Sequence, residues 1–205
     1  MSTNSMFDSL KESIETYIEK NATEKRRVHT EGVRHTAIKL AEKYGAGDMV
    51  LRQKAEIAAL FHDMYRGVSG DILNYYVKHL GLDEKRYKDN ANLAHGKIAA
   101  AVMEREYEIT DEDLLNAVRF HTTGRPGMSL LEKIIYIADA IEPNRNYPGV
   151  EELRKTAGRD LDLACLQSLS NTIEYVRGEN KYLDEDTVLA KEYFENRIKE
   201  KGEHL

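Results

Sequence analysis

Apolar residues recur along this chain at intervals of three and four, the spacing that gives a helix one apolar face. Phe7, Leu10, Ile14, Tyr17 and Ile18 draw such a stripe and predict a helix over residues 6–20. Val28, Val33, Ala37, Leu40, Ala41 and Tyr44 draw a second, with Gly45 as its stop. Asp48 is placed to cap a third helix through Ala55, Ala58, Ala59 and His62. A fourth runs through Ile72, Leu73, Tyr76, Val77 and Leu80 to Gly81. The polar segment LDEKRYKDN that follows reads as a loop. A fifth helix carries Leu93, Ile98, Ala99, Val102 and Met103. Thr110 with Asp113 resembles a capping box for a sixth, whose face holds Leu114, Ala117, Val118 and His121. After the loop TTGRPGM, Ser129 with Glu132 is a capping box for a seventh, through Ile134, Ile135, Ala138 and Ile141 to Pro143. Two or three further helices fit residues 150–200. No run alternates as a strand does. The expectation is an all-α fold in a single domain over 1–205, with its motifs in 26–150 and helices 150–200 packed on them.

Composition narrows the function classes. The 205 residues are 41% hydrophobic and 32% charged, enough to bury a core. The apolar stretch Ile134–Ala138 is broken by Asp139, and no run approaches the ~20 residues of a membrane span. The segment MSTNSMFDSLKES has acids where an export signal has a basic start and an apolar run. Cys165 is the lone cysteine, which suits a reducing compartment; a cytoplasmic location is expected. The net charge of −6 argues against nucleic acid as partner. Residues 119–159 nevertheless hold seven basic and five acidic side chains, a local excess suited to a compact anionic ligand.

Histidine is the informative residue. His29 precedes Val33, Ala37 and Leu40 at helical spacing, His62–Asp63 follows the apolar run IAALF, and His121 closes an apolar face. Asp139 lies inside an otherwise apolar helix. A buried carboxylate costs several kcal/mol unless it is paired or bound to a metal. Each of these residues alone reads as a hydrogen-bonded core residue. Together they offer mixed nitrogen and oxygen donors for a divalent transition metal.

The order His29, His62–Asp63, Asp139 resembles the HD-domain superfamily of metal-dependent phosphohydrolases. The segments RRVHTEGV (26–33), AALFHD (58–63), LAHG (93–96), VRFHTTGRPGMS (118–129) and KIIYIADAIEPNRNYPGV (133–150) are similar to its bacterial symmetrical bis(5'-nucleosyl)-tetraphosphatases. The likeness spans nearly the whole chain. It implies His29, His62, Asp63 and Asp139 as metal ligands. His95 and His121 then either bind a second metal or contact phosphate, and with Asp63 they form the catalytic set. On the substrate side it implies Arg26, Arg66, Thr122, Arg125, Asn144 and Arg145, beside His95 and His121. Arg66 stands where related chains often carry lysine. Iron is the first metal, in one or two ions, although the ligand chemistry also accepts Mn, Co or Zn.

The implied activity is hydrolysis of diadenosine tetraphosphate, a small nucleotide, into two ADP. The alternatives are an HD phosphohydrolase for a nucleoside triphosphate or guanosine tetraphosphate, and a non-catalytic metal- or nucleotide-binding module. Met64-Tyr65-Arg66-Gly67 follows the dyad where a guanosine-tetraphosphate hydrolase would carry acids. A homodimer is compatible with the sequence. Lys133 and Arg154 read as helix-surface residues, His35, His79 and His204 as ordinary ones, and Cys165 as a buried small hydrophobe.

Overall fold

The computed structural model describes residues 3–203, all helix and connecting turns with no strand among them. The first helices are α1 (Thr3–Asn21), α2 (Glu24–Tyr44), α3 (Met49–Phe61) and α4 (Gly70–His79). Next come α5 (Glu84–Tyr87), α6 (Ala91–Glu106), α7 (Glu112–Arg119) and α8 (Leu130–Ile141). The chain continues through α9 (Val150–Ala157), α10 (Leu161–Gly178) and α11 (Glu185–Glu203). None of these helices is long and apolar enough to cross a membrane. His204 lies outside the described residues.

The helix starts follow local hydrogen bonding. Thr23 caps α2 by accepting from Arg26 N–H, and Asp48 caps α3 by accepting from Val50 and Leu51 N–H. Ser129 and Glu132 form the expected reciprocal capping box on α8. Three local expectations are corrected. The cap of α7 is Asp111, which accepts from Leu114 N–H, one residue after the expected Thr110. The polar segment 82–90 is not wholly loop, because Asp83 caps the single turn α5 and the Tyr87 ring is buried behind it. His121 also falls past the end of α7, in the turn that follows it.

Helix α8 is apolar on nearly all sides, with Leu131, Ile134, Ile135, Ile137 and Ala138 fully buried. It lies at the centre of the packing, against α2, α3, α7, α9 and α10. Asp139 therefore rises from the middle of the molecule, beside α2 with His29 and the end of α3 with His62 and Asp63. Two glycines permit close approach. A Cβ on Gly32 of α2 would lie 2.4 Å from Glu142 Oε2, and one on Gly96 of α6 would lie 2.8 Å from the Val118 carbonyl oxygen.

Candidate metal centre and phosphate cavity

Two triads of ligand atoms meet at this junction: His29, His62 and Asp139, and Asp63, His95 and His121. Within each triad the donor atoms lie within 4.8 Å of one another. Asp63 joins them. Its Oδ2 is 3.3 Å from His29 Nε2 and 3.5 Å from His62 Nε2, while Oδ1 is 3.1 Å from His95 Nε2. Asp139 Oδ1 is 3.1 Å from His29 Nε2.

All four imidazoles turn the same nitrogen inward. His62 Nδ1–H donates to the Ala59 carbonyl at 2.6 Å, His95 Nδ1–H to Ala91 at 3.0 Å, and His121 Nδ1–H to Val118 at 2.8 Å. His29 Nδ1–H donates to Glu142 Oε1 at 3.2 Å. A carbonyl only accepts, so these bonds place the proton on Nδ1 and leave Nε2 as the inward electron-pair donor. The Nε2 atoms of His95 and His121 are 2.9 Å apart, and those of His29 and His62 are 3.3 Å apart. Four such nitrogens and two carboxylates directed into one space suit a divalent transition metal, with outer hydrogen bonds fixing ring orientation.

The electrostatics agree with that donor role at His121 and Asp63, whereas the two carboxylates beside His29 favour its protonated form, a proton that a bound cation would displace. Burial, with His95 and His62 alongside, pushes His121 down to about 3, so its ring is neutral. Burial opposes ionisation of Asp63, but His62, His29 and His95 outweigh it and hold the carboxyl well below its ordinary range. Burial lowers His29, yet its bonds to Asp139 and Asp63 prevail and raise it to about 9.

A cavity of about 730 Å³ opens over this cluster. Arg26 pairs with Asp63, and Arg145 pairs with Asp139 and donates from Nε to its backbone oxygen at 2.8 Å. Arg66 lines the cavity and forms no ion pair among the described residues. Thr122, Asn144 and Tyr147 line it too, and the Tyr147 hydroxyl donates to the Ala140 carbonyl.

Arg125 is the exception among the expected phosphate contacts. Its guanidinium closes a two-pronged bond with Glu132, Nε to Oε2 at 2.7 Å and Nη2 to Oε1 at 2.6 Å. The capping box fixes Glu132 at the start of α8, and that carboxylate draws Arg125 away from the cavity. Lys133 is bound to Asp162 at 2.8 Å. Arg154 donates to the carbonyls of Ile141, Glu142 and Arg145, folding the turn that presents Asn144 and Arg145. His35 is exposed, His79 stacks on Tyr75, and Cys165 is buried.

Sequence reasoning missed Glu142. It is 2% exposed, takes His29 Nδ1–H on Oε1, and takes the backbone and side-chain N–H groups of Asn144 on Oε2, at 2.7 and 3.0 Å. One carboxylate thus orients a metal-site imidazole and the wall of the phosphate cavity. The only signal in the sequence is an acid directly before Pro143, which reads equally as a solvated helix end.

Comparison with known proteins bears on the same residues. The HD domain family matches residues 26–144, which contain both triads. A symmetrical bis(5'-nucleosyl)-tetraphosphatase of Bacillus subtilis is 43% identical over 173 residues, 84% of this chain and 91% of that one. Another, from Halalkalibacterium halodurans, is 43% identical over 171 residues, covering 83% and 89%. A crystal structure from Clostridium acetobutylicum, described as an HD superfamily hydrolase involved in NAD metabolism, matches with a TM-score of 0.83. That protein is 42% identical, and the match covers 91% of this chain and 97% of the other. With the helical frame, the ligand order and these relatives in agreement, the chain belongs to the HD-domain family, in its branch of symmetrical bis(5'-nucleosyl)-tetraphosphatases.

Proposed function

We propose that this protein hydrolyses diadenosine tetraphosphate at its central bridge, giving two ADP. The observation that carries this reading is the convergence of four imidazole Nε2 atoms and two carboxylates beneath an arginine-bearing cavity, in a chain 43% identical to symmetrical tetraphosphatases. His29, His62, Asp63 and Asp139 would hold one divalent ion. Asp63, His95 and His121 would hold a second, a role supported by their own close grouping. When bound, such ions neutralise phosphate charge and lower the pKa of water toward neutrality. Mixed nitrogen and carboxylate donors favour iron or manganese over zinc, and iron is our first assignment.

The protein's own groups account for the rest. The bridge carries about four negative charges, which repel a nucleophile. Arg66 is free to take a phosphate oxygen. Arg26 and Arg145 rest on Asp63 and Asp139, within reach of a phosphate that enters the cavity. Thr122 and Asn144 add neutral donors on the wall. Asp63 orients a water toward an inner phosphorus. As the new P–O bond forms, the central P–O bond breaks and one ADP leaves with the bridging oxygen and its electron pair. Both protons of the water pass to solvent, the first as its oxygen attacks and the second as the new terminal phosphate ionises. ADP is already a stable anion, so positioning and charge carry most of the rate and a strong general acid is not required. The lone cysteine is buried, and a reducing cytoplasm is the location we assign.

Metal analysis and product identification on one preparation test this reading. Purified protein should contain iron and convert diadenosine tetraphosphate to ADP alone. AMP with ATP, or faster turnover of another nucleotide in a panel, would overturn the specificity. Asp63→Ala should lose bound metal and turnover together; turnover retained without metal would overturn the site.

A further inference from the structure

Symmetric cleavage imposes a geometric condition. The bond that breaks is the middle one, so one nucleoside must lie two phosphates from the reacting centre on one side and the other equally far on the opposite side. A site for such a substrate needs a receptacle on each flank.

The cavity already described extends to one flank, toward Lys25, Val28, Asn146 and Tyr147. A second cavity of about 390 Å³ adjoins it. The two share Thr23, Arg26 and Asp63 as walls, so the Arg26–Asp63 pair is the partition between them. The second cavity is lined by Tyr17 and Ile18 of α1, Leu60 of α3, and Met64 and Val68 in the turns after it. These are apolar bodies packed on the core, a suitable floor for a nucleobase.

One polar group in this apolar lining could hydrogen-bond a ligand. Thr30 of α2 lines it, is only 4% exposed, and has no hydrogen-bond partner for its hydroxyl among the described residues. That hydroxyl is not sealed off among the buried unpartnered atoms, so it is open to a hydrogen bond with a group that enters the cavity. The volume falls in the range of small-molecule sites.

We infer that this cavity receives the second nucleoside of the substrate, with the tetraphosphate crossing above Arg26 and Asp63. The inference rests on the tetraphosphatase reading. It makes Thr30 and the α1 wall determinants of preference for dinucleoside over mononucleoside polyphosphates. Recognition of two nucleosides, one on each side, is then what centres the scissile bond.

Gly67 offers the test. It lines the second cavity, its φ is not in the left-handed region, and a Cβ there meets nothing within 4 Å. Gly67→Trp should fill the space without forcing the backbone. The readout is the ratio of inhibition constants for two non-hydrolysable tetraphosphates with a methylene central bridge, one carrying two adenosines and one carrying a single adenosine. The wild type should bind the dinucleoside form at least about tenfold more tightly, and Gly67→Trp should erase that preference. Thr30→Val, which keeps the shape and removes the hydroxyl, should reduce it by about threefold to tenfold. No preference in the wild type, or an unchanged ratio in both variants, overturns the inference. Failure of the wild type to form ADP from diadenosine tetraphosphate would instead remove the reading beneath it, so the two failures are distinguishable.

Discussion

Glu142 bonds on both of its oxygens, and the chemistry of the two differs. Oε1 accepts from His29 Nδ1 and Oε2 accepts from two N–H groups of Asn144. Glutamine has one acceptor oxygen and one NH₂, so in Glu142→Gln one of these faces sets donor against donor at a side chain that is only 2% exposed. The expected outcome is a folded protein whose metal affinity falls by about 10- to 100-fold, read by metal titration of the stripped protein. Unchanged affinity would show that packing alone orients the His29 ring. At this scale the sequence was legible wherever a polar group interrupts an apolar helical face, as with His29, His62 and Asp139. Glu142 interrupts nothing. It follows the last apolar residue of α8, and its burial depends on partners in α2, His29 lying 113 residues upstream.

Between elements, glycine sets how near α6 comes to the end of α7. A Cβ on Gly96 would sit 2.8 Å from the Val118 carbonyl oxygen and 2.9 Å from the His121 ring. The first of these is backbone and cannot swing aside. Helix propensity alone predicts that Gly→Ala in a helix gains about 1 kcal/mol. Overpacking costs about 1–3 kcal/mol, so Gly96→Ala is expected to be the net loser in urea unfolding and to displace His121. Gly178 closes α10 with nothing within 4 Å of a built Cβ, so Gly178→Ala should be neutral or stabilising by up to about 1 kcal/mol. If both variants gain stability, the α6–α7 contact yields more readily than its geometry implies. Element identity was largely legible because periodicity and caps are local. The one-turn α5 was not, since it offers too few residues to show a period and is held by Arg86 pairing with Asp184 and Asp186 near the start of α11.

Across the whole molecule, charge counting reaches its limit. The basic excess over 119–159 suggests an anion site, yet Arg125 and Lys133 spend their charge on Glu132 and Asp162, pairings set by tertiary contact. Lys97 is the sharpest example. The sequence places it beside His95 without comment. In the fold it is 6% exposed, with its ammonium 3.7 Å from the centroid of Phe120 and 3.7 Å from Asp186 Oδ2. Burial lowers its pKa from 10.5 to about 8, and the attraction of Asp186 and Asp184 only partly offsets that. Below pH 8 both folded and unfolded chains carry the proton, and the fold bears the full cost of a buried charge, about 3 kcal/mol. Between about pH 8 and 10.5 the unfolded chain binds a proton that the folded chain does not, so this contribution to stability rises with pH. Lys97→Met, similar in length and uncharged, should therefore be more stable than wild type in urea at pH 7, and the gap should close as pH approaches 10.5. Other lysines and tyrosines titrate in both proteins and cancel in the difference. A gap that stays constant across that range, or a variant less stable at pH 7, would show that Phe120 and Asp186 compensate the ammonium fully and that Lys97 is a stabilising link between α6 and α11.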